Sequence, residues 1–85
     1  MASKTAKTIT IRYFALLREE SQKTEETFST KSTTPLELFK ELKAHYQFTL
    51  PMDSLRIAIN DEFKPWNVKL KSGDDIVFIP PVSGG

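Results

Sequence analysis

The sequence predicts an α+β roll, in which one mixed β-sheet carries a main crossover helix on one face. Three observations predict it. Residues 8–13 alternate strictly between polar and apolar side chains. Residues 34–46 carry the signature of a capped amphipathic helix. Alternating apolar residues then return at 55–59 and 76–79, bounded by turn residues. Eighty-five residues hold this arrangement in one domain with a thin core.

Residues 1–6 are small and polar and read as a flexible N-terminus. In the first strand Ile9, Ile11 and Tyr13 stand against Thr8, Thr10 and Arg12, with β-branched residues at period two. Residues 15–20 favour a helical turn, and residues 21–24 form a polar connection to a short strand at residues 25–30, with Phe28 as its buried anchor. Thr34-Pro35-Leu36-Glu37 then places a hydroxyl at the N-cap, proline at the first helical position and glutamate at the third, a capping box. Leu38, Phe39, Leu42 and Tyr46 follow at three-to-four spacing, with Lys40, Glu41 and Lys43 turned outward, so the helix spans residues 35–46. Leu55, Ile57 and Ile59 make a third strand, Asn60-Asp61 a turn, and Lys71-Ser72-Gly73-Asp74 a second turn feeding a last strand at residues 76–79. Pro80-Pro81 ends it, because proline cannot donate to a ladder. The order is strand, strand, helix, strand, strand. The domain organisation is a flexible start at 1–6, a folded unit at 7–79 and an extended tail at 80–85.

Composition narrows the function classes. Hydrophobic residues are 39% and charged residues 27%, a globular balance. Twelve Lys+Arg face eleven Asp+Glu, for a formal charge of +1, with both signs spread along the chain. No basic stripe is present to release counterions, so no nucleic-acid partner is expected. The absence of cysteine excludes a disulfide scaffold, thiolate metal sites and a cysteine nucleophile. The longest apolar runs have four residues, well short of a membrane span, so the expectation is a soluble cytoplasmic protein with no membrane partner.

Conventional catalytic chemistry is hard to assemble from this chain. His45, the single histidine, sits late on the helix and reads as a solvated helix-end residue. Asp61-Glu62 and Asp74-Asp75 are paired carboxylates, but both lie in turns, where Asp caps backbone. No metal site is expected. Gly73 is the one internal glycine, so no phosphate-cradling loop exists, and Trp66 reads as a packing lid.

Two other features stand out. In the last strand Val77 and Ile79 point away from the face that Ile76 and Phe78 share, and Phe14 continues the polar side of the first strand. If those strands are neighbours, Phe14, Val77 and Ile79 form an uncovered apolar patch, the usual mark of a partner surface. The alternative is that Phe14 folds beneath the following helical turn. The second feature is the end of the chain, Pro80-Pro81-Val82-Ser83-Gly84-Gly85. Two prolines favour a stiff extended path, and six residues reach at most about 20 Å beyond the sheet. Gly84 and Gly85 lack Cβ atoms, so they fit a channel that admits only backbone and offer an unhindered terminal carboxylate. The alternative is a Gly-Gly remnant of cloning.

Tyr13-Phe14-Ala15, Ala58-Ile59-Asn60, Ser72-Gly73-Asp74-Asp75 and the Pro-Pro-Val-Ser-Gly-Gly finish together resemble the small sulfur-carrier subunits of molybdopterin synthase, the MoaD type. The resemblance covers residues 7–85. It implies a β-grasp (ubiquitin-like) fold and a carrier that is not an enzyme on its own. An E1-like activating enzyme would use ATP to adenylate Gly85, and a persulfide donor protein would convert the adenylate to a thiocarboxylate. The tail would then enter the large synthase subunit, in a heterotetramer, and give its sulfur to a cyclic pyranopterin precursor to build the dithiolene of the molybdenum cofactor. No cofactor is bound permanently. Under this resemblance Gly85 is the reacting group, Gly84 gives access, and Pro80, Pro81, Val82 and Ser83 position the tail. Phe14, Phe63 and Ile79 match apolar docking positions. Arg18 matches a usually basic position, although a solvated arginine beside Glu19 and Glu20 fits equally. Thiamine-pathway sulfur carriers, and ubiquitin-like binding or conjugation modules that carry no sulfur, are the alternatives.

Overall fold

The computed structural model describes residues 6–80. Among them the chain forms β1 (Lys7–Arg12), α1 (Ala15–Ser21), β2 (Glu25–Thr30), α2 (Pro35–Tyr46), a 3-10 turn (Met52–Ser54), β3 (Arg56–Ile59), β4 (Glu62–Lys64) and β5 (Asp75–Ile79). The strands make one mixed sheet in the order β2-β1-β5-β3-β4. β1 pairs antiparallel with β2 and parallel with β5, while β3 pairs antiparallel with both β5 and β4. An α+β roll is therefore the observed architecture.

The inner face of the sheet follows from alternation. Ile9, Ile11 and Tyr13 of the first strand, Ile57 and Ile59 of β3, and Ile76 and Phe78 of β5 are all buried. Helix α2 covers them with Leu38, Phe39 and Leu42. Burial of each such side chain contributes roughly 1.5–3 kcal/mol. Phe39 is the centre of this packing, with ring centroids 5.4 Å from Phe78 and 6.0 Å from both Phe48 and Trp66. Trp66 is thus a lid over the core edge, and its carbonyl accepts from the N–H of Leu36 at the start of α2.

The start of α2 departs from a reciprocal capping box in one detail. Thr34 Oγ1 accepts from the Glu37 N–H at 3.3 Å, as the spacing predicts. The Glu37 carboxylate reaches one residue further back, accepting from the N–H and hydroxyl of Thr33 at 2.9 and 3.1 Å. Either arrangement satisfies an otherwise orphaned donor.

Three elements differ from the sequence expectation. Residues 15–21 form a complete α-helix because Leu17 is fully buried and anchors it to the core. A fifth strand, β4, is present; it has three residues and forms a two-residue hairpin with β3. The turn residues Asn60 and Asp61 both have positive φ, 54° and 71°, the geometry that matches strand twist in such hairpins. Phe28 is half-buried rather than a full anchor, because β2 is an edge strand.

A polar cluster closes the β2 edge. Tyr13 and Tyr46 both donate their hydroxyls to Glu26 Oε2, at 2.6 and 2.7 Å, and Lys23 Nζ donates to Tyr46 at 3.1 Å. Burial, then the adjacent Glu26 carboxylate, pushes the Tyr13 phenol well above its ordinary value of 10.0. Tyr46 is raised for the same two reasons, with Lys23 opposing. These are the two tyrosines of the chain. Above pH 10 an unfolded chain loses phenolic protons that the folded chain keeps, so the unfolded state binds fewer protons and stability falls as pH rises. Phenolate absorbance of the native protein is therefore expected to lag that of the unfolded chain above pH 10 and to appear as the fold is lost. Ionisation of both phenols near pH 10 with the fold intact would contradict this geometry.

Candidate functional site

The outer face of the sheet, which neither helix covers, divides into two halves. Side chains directly opposite one another in the ladders share a face. Thr8, Thr10 and Arg12 of β1 stand beside Ser29, Thr27 and Glu25 of β2, a polar half. On the other side Val77 lies opposite Ala58, Ala58 opposite Phe63, and Ile79 opposite Arg56, an apolar half formed by β5, β3 and β4. The Arg12–Asp75 ion pair, at 3.1 Å, marks the boundary. Arg12 is exposed and Asp75 partly so, which screens the pair and keeps its contribution to stability small.

Phe14 joins the apolar half through parallel pairing. Arg12 lies beside Val77 in the β1–β5 ladder, so the ends of both strands point the same way. Phe14 keeps extended backbone angles, φ −129° and ψ 154°, and so continues the outward parity of β1. Ala15 then turns at φ 53°, a left-handed conformation that is strained for a residue with a Cβ, and α1 begins. Phe14 is 46% exposed, which excludes the alternative that it folds under the helix. Phe63 is 66% exposed, the most of any large apolar side chain among the described residues. Ile79 and Val77 are half-buried.

Arg18 sits four residues after Phe14, on the same side of α1, and its N–H bonds to the Phe14 carbonyl at 3.4 Å. Its guanidinium is exposed and makes no ion pair among the described residues. Thus Phe14, Phe63 and Ile79 share one face, with Arg18 at its margin. Pro80 is half-buried and borders a cleft of about 520 Å³ that Asp53, Ser54, Leu55, Arg56, Phe63 and Ile79 complete. The remaining tail residues named from the sequence, Pro81, Val82, Ser83, Gly84 and Gly85, lie outside the described residues.

The acidic turns have a different task. Asp74 is buried and accepts from the Lys71 N–H at 2.8 Å and from Asn60 Nδ2 at 3.1 Å. Asn60 Oδ1 in turn accepts from the Asp75 N–H at 3.0 Å. This clip ties the β3–β4 turn to the start of β5. It lies at the end of β5 opposite the tail. His45 is exposed and packs against Phe28 and Tyr46. Among the described residues no group of three His, Asp or Glu side chains could hold a metal ion.

Sequence reasoning missed Arg56 and Ala58 as members of the apolar half. For Ala58 the two-residue Asn60-Asp61 turn was the available signal, since it sets Ala58 opposite Phe63; Arg56 had none, because only the β3–β5 register sets it opposite Ile79.

Sheet order and helix placement define a ubiquitin-like β-grasp protein. The small archaeal modifier protein 1 of Methanosarcina acetivorans has this fold, with a TM-score of 0.75 at 22% identity, covering 95% of this chain and 99% of that one. The model described as the ThiS family matches residues 11–85, and the chain belongs to that family. It is 35% identical over 81 residues to the molybdopterin synthase sulfur carrier subunit of Chlamydomonas reinhardtii, covering 91% of this chain and 98% of the relative. It is also similar to a chain in the complex of subunits 1 and 2 of the molybdopterin-converting factor from Helicobacter pylori. That match has 30% identity and a TM-score of 0.62, and covers 92% of this chain and 99% of that one. Among the described residues no helix is long and apolar enough to cross a membrane.

The Asn60–Asp74 clip generates a prediction. Asn60→Ala removes both side-chain bonds and leaves buried acceptor capacity on Asp74, so chemical denaturation should show a loss of about 1–3 kcal/mol. Because Asn60 also holds a left-handed turn, Asn60→Gly should recover part of it. An Asn60→Ala protein of parental stability would show that the clip is not structural.

Proposed function

We propose that this chain is the sulfur carrier subunit of a molybdopterin synthase, working in the cytoplasm. The relative of that name from Chlamydomonas reinhardtii supports the reading over 98% of its own length. The observation that carries it structurally is the apolar face at the root of the tail: Phe14, Ile79 and Phe63 lie where β5 hands over to Pro80.

The chemistry belongs to the terminus. A carboxylate is a poor electrophile, so an activating enzyme of the E1-like class uses ATP to convert the Gly85 carboxylate to an acyl adenylate. The outer sulfur of a persulfide donor displaces AMP to give an acyl disulfide, and a thiol then cleaves its S–S bond, which leaves the thiocarboxylate on Gly85 and a disulfide on the donor side. Its sulfur then attacks the cyclic pyranopterin precursor inside the large subunit, water cleaves the resulting thioester and returns the Gly85 carboxylate, and two such transfers build the dithiolene. The body of the chain supplies placement. Its apolar face docks, with Arg18 at the margin, while Pro80 to Ser83 act as a stiff arm and Gly84 passes a channel that excludes side chains. Catalysis in this scheme depends on holding the terminal carbon at a fixed reach, because reacting atoms must approach within about 3–3.5 Å.

The reach can be tested directly. Deleting Gly85 withdraws the carboxylate by about 3.5 Å. It is expected to leave the thermal midpoint nearly unchanged and to abolish thiocarboxylate formation by the activating enzyme and persulfide donor, read by mass spectrometry. Phe14→Asp should keep both midpoint and thiocarboxylate but weaken binding to the large subunit, since it puts a charge into a desolvated contact. A Gly85-deleted protein that still becomes thiocarboxylated and supports pterin synthesis would refute the proposal.

A further inference from the structure

Arg56 opens β3 on the outer face, directly across from Ile79, the last residue of β5. Its guanidinium carbon lies 5.8 Å from the centre of the Phe63 ring. Arg56 is exposed, and it walls the cleft that Phe63, Ile79 and Pro80 also line. Among the described residues its guanidinium makes no ion pair; the pairs present are Arg12–Asp75, Lys23–Glu26 and Lys64–Glu62. Asp53, the one acidic side chain bordering the cleft, makes none with it. A guanidinium carries five N–H donors in a rigid fork that matches a carboxylate. The cation–π contact with Phe63 favours this placement of the fork before any partner arrives.

Arg18 stands at the other margin, one helical turn beyond Phe14 and likewise without an ion pair among the described residues. The apolar strip formed by Phe14, Val77, Ile79, Ala58 and Phe63 therefore has an unpaired guanidinium at each end. The ion-paired Arg12 lies on the polar side of this strip.

We propose that Arg56 is a second cationic anchor for the large synthase subunit. It receives a partner carboxylate that lies beside an apolar segment seated against Phe63, Ile79 and Pro80. This rests on the function proposed above and names the chemistry of its docking partner. Two observations select that occupant. A second copy of this chain, docked strip against strip about a twofold axis, would set guanidinium against guanidinium. An acidic and apolar surface of a different chain matches both the strip and its two ends. Pro80 borders the cleft, so a partner that holds the tail lies over Arg56 at the same time. Arg56 acts as a positioning residue; the reacting atoms are on Gly85.

The test is calorimetric titration of the purified large subunit with the full-length chain and with Arg56→Ala, Arg56→Lys and Arg56→Glu, at low and at physiological salt. Thermal melts confirm that each variant is folded. Arg56→Ala is expected to weaken binding about fivefold, as loss of a single charged contact does. Arg56→Glu should weaken it further, and Arg56→Lys should fall between, because it keeps the charge and loses the fork. The Ala variant should also show a shallower decline of affinity with salt. Adenylation of the tail by the activating enzyme should be equal in all four proteins. The proposal is overturned by parental affinity and salt dependence in Arg56→Ala, or by a matching loss of adenylation, which would assign Arg56 to the activating enzyme. If the parent chain does not bind the large subunit at all, the functional reading itself fails and this proposal with it.

Discussion

Parallel pairing of β1 with β5 in the middle of the sheet is the constraint on which the other features depend. A parallel pair cannot be closed by a hairpin, so the chain between residues 12 and 75 has to include a crossover from the end of β1 back to the start of β5. Helix α2 meets that requirement by lying across the inner face, where Leu38, Phe39 and Leu42 close over Ile11 and Ile76. The same pairing points the ends of β1 and β5 in one direction. Phe14, leaving β1, and Ile79, leaving β5, consequently emerge side by side at the root of the tail. One ladder thus couples the core on one face to the exposed apolar surface on the other.

The two faces of the sheet carry different work. The inner face holds a dense aromatic core around Phe39, which a domain of this length needs because it buries a small share of its surface. The outer face leaves Phe14 and Phe63 in solvent, at a cost in hydrophobic burial that no contact within the described residues recovers. In the proposed scheme the chemistry is kept away from the folded body. The Asp74 carboxylate holds a turn together, the tyrosine hydroxyls are committed to Glu26, and the reacting group of the proposed scheme sits on the terminal backbone. A sulfur carrier without cysteine is coherent on those terms.

Much of this was legible in the sequence because the deciding signals are local. The alternation at residues 8–13 set the buried side of β1, and Thr34-Pro35 set the start of α2. Phe14, Val77 and Ile79 could be placed on one face by counting in twos. What escaped was set by contacts between distant residues. Strand β4 has three residues with charge on either side of Phe63, and it exists because the Asn60-Asp61 turn delivers it to β3. Helix α1 is too short to form by propensity and is held by the burial of Leu17. Arg56 carries no signal in its neighbours; only the β3–β5 register sets it opposite Ile79 and the β3–β4 hairpin under Phe63. Phe63 and Arg18 came from family resemblance, and the fold now gives them a common location with Phe14.

The central claim is that sulfur rides on the C-terminal carbonyl. It is tested most directly by the intact mass of the chain isolated from sulfur-replete cells that contain its activating system, followed by sequencing of the C-terminal peptide. Replacement of one oxygen by sulfur at Gly85 is the predicted result. An unmodified carboxylate under those conditions, or an isopeptide bond from Gly85 to a lysine of another protein as the main product, would contradict it.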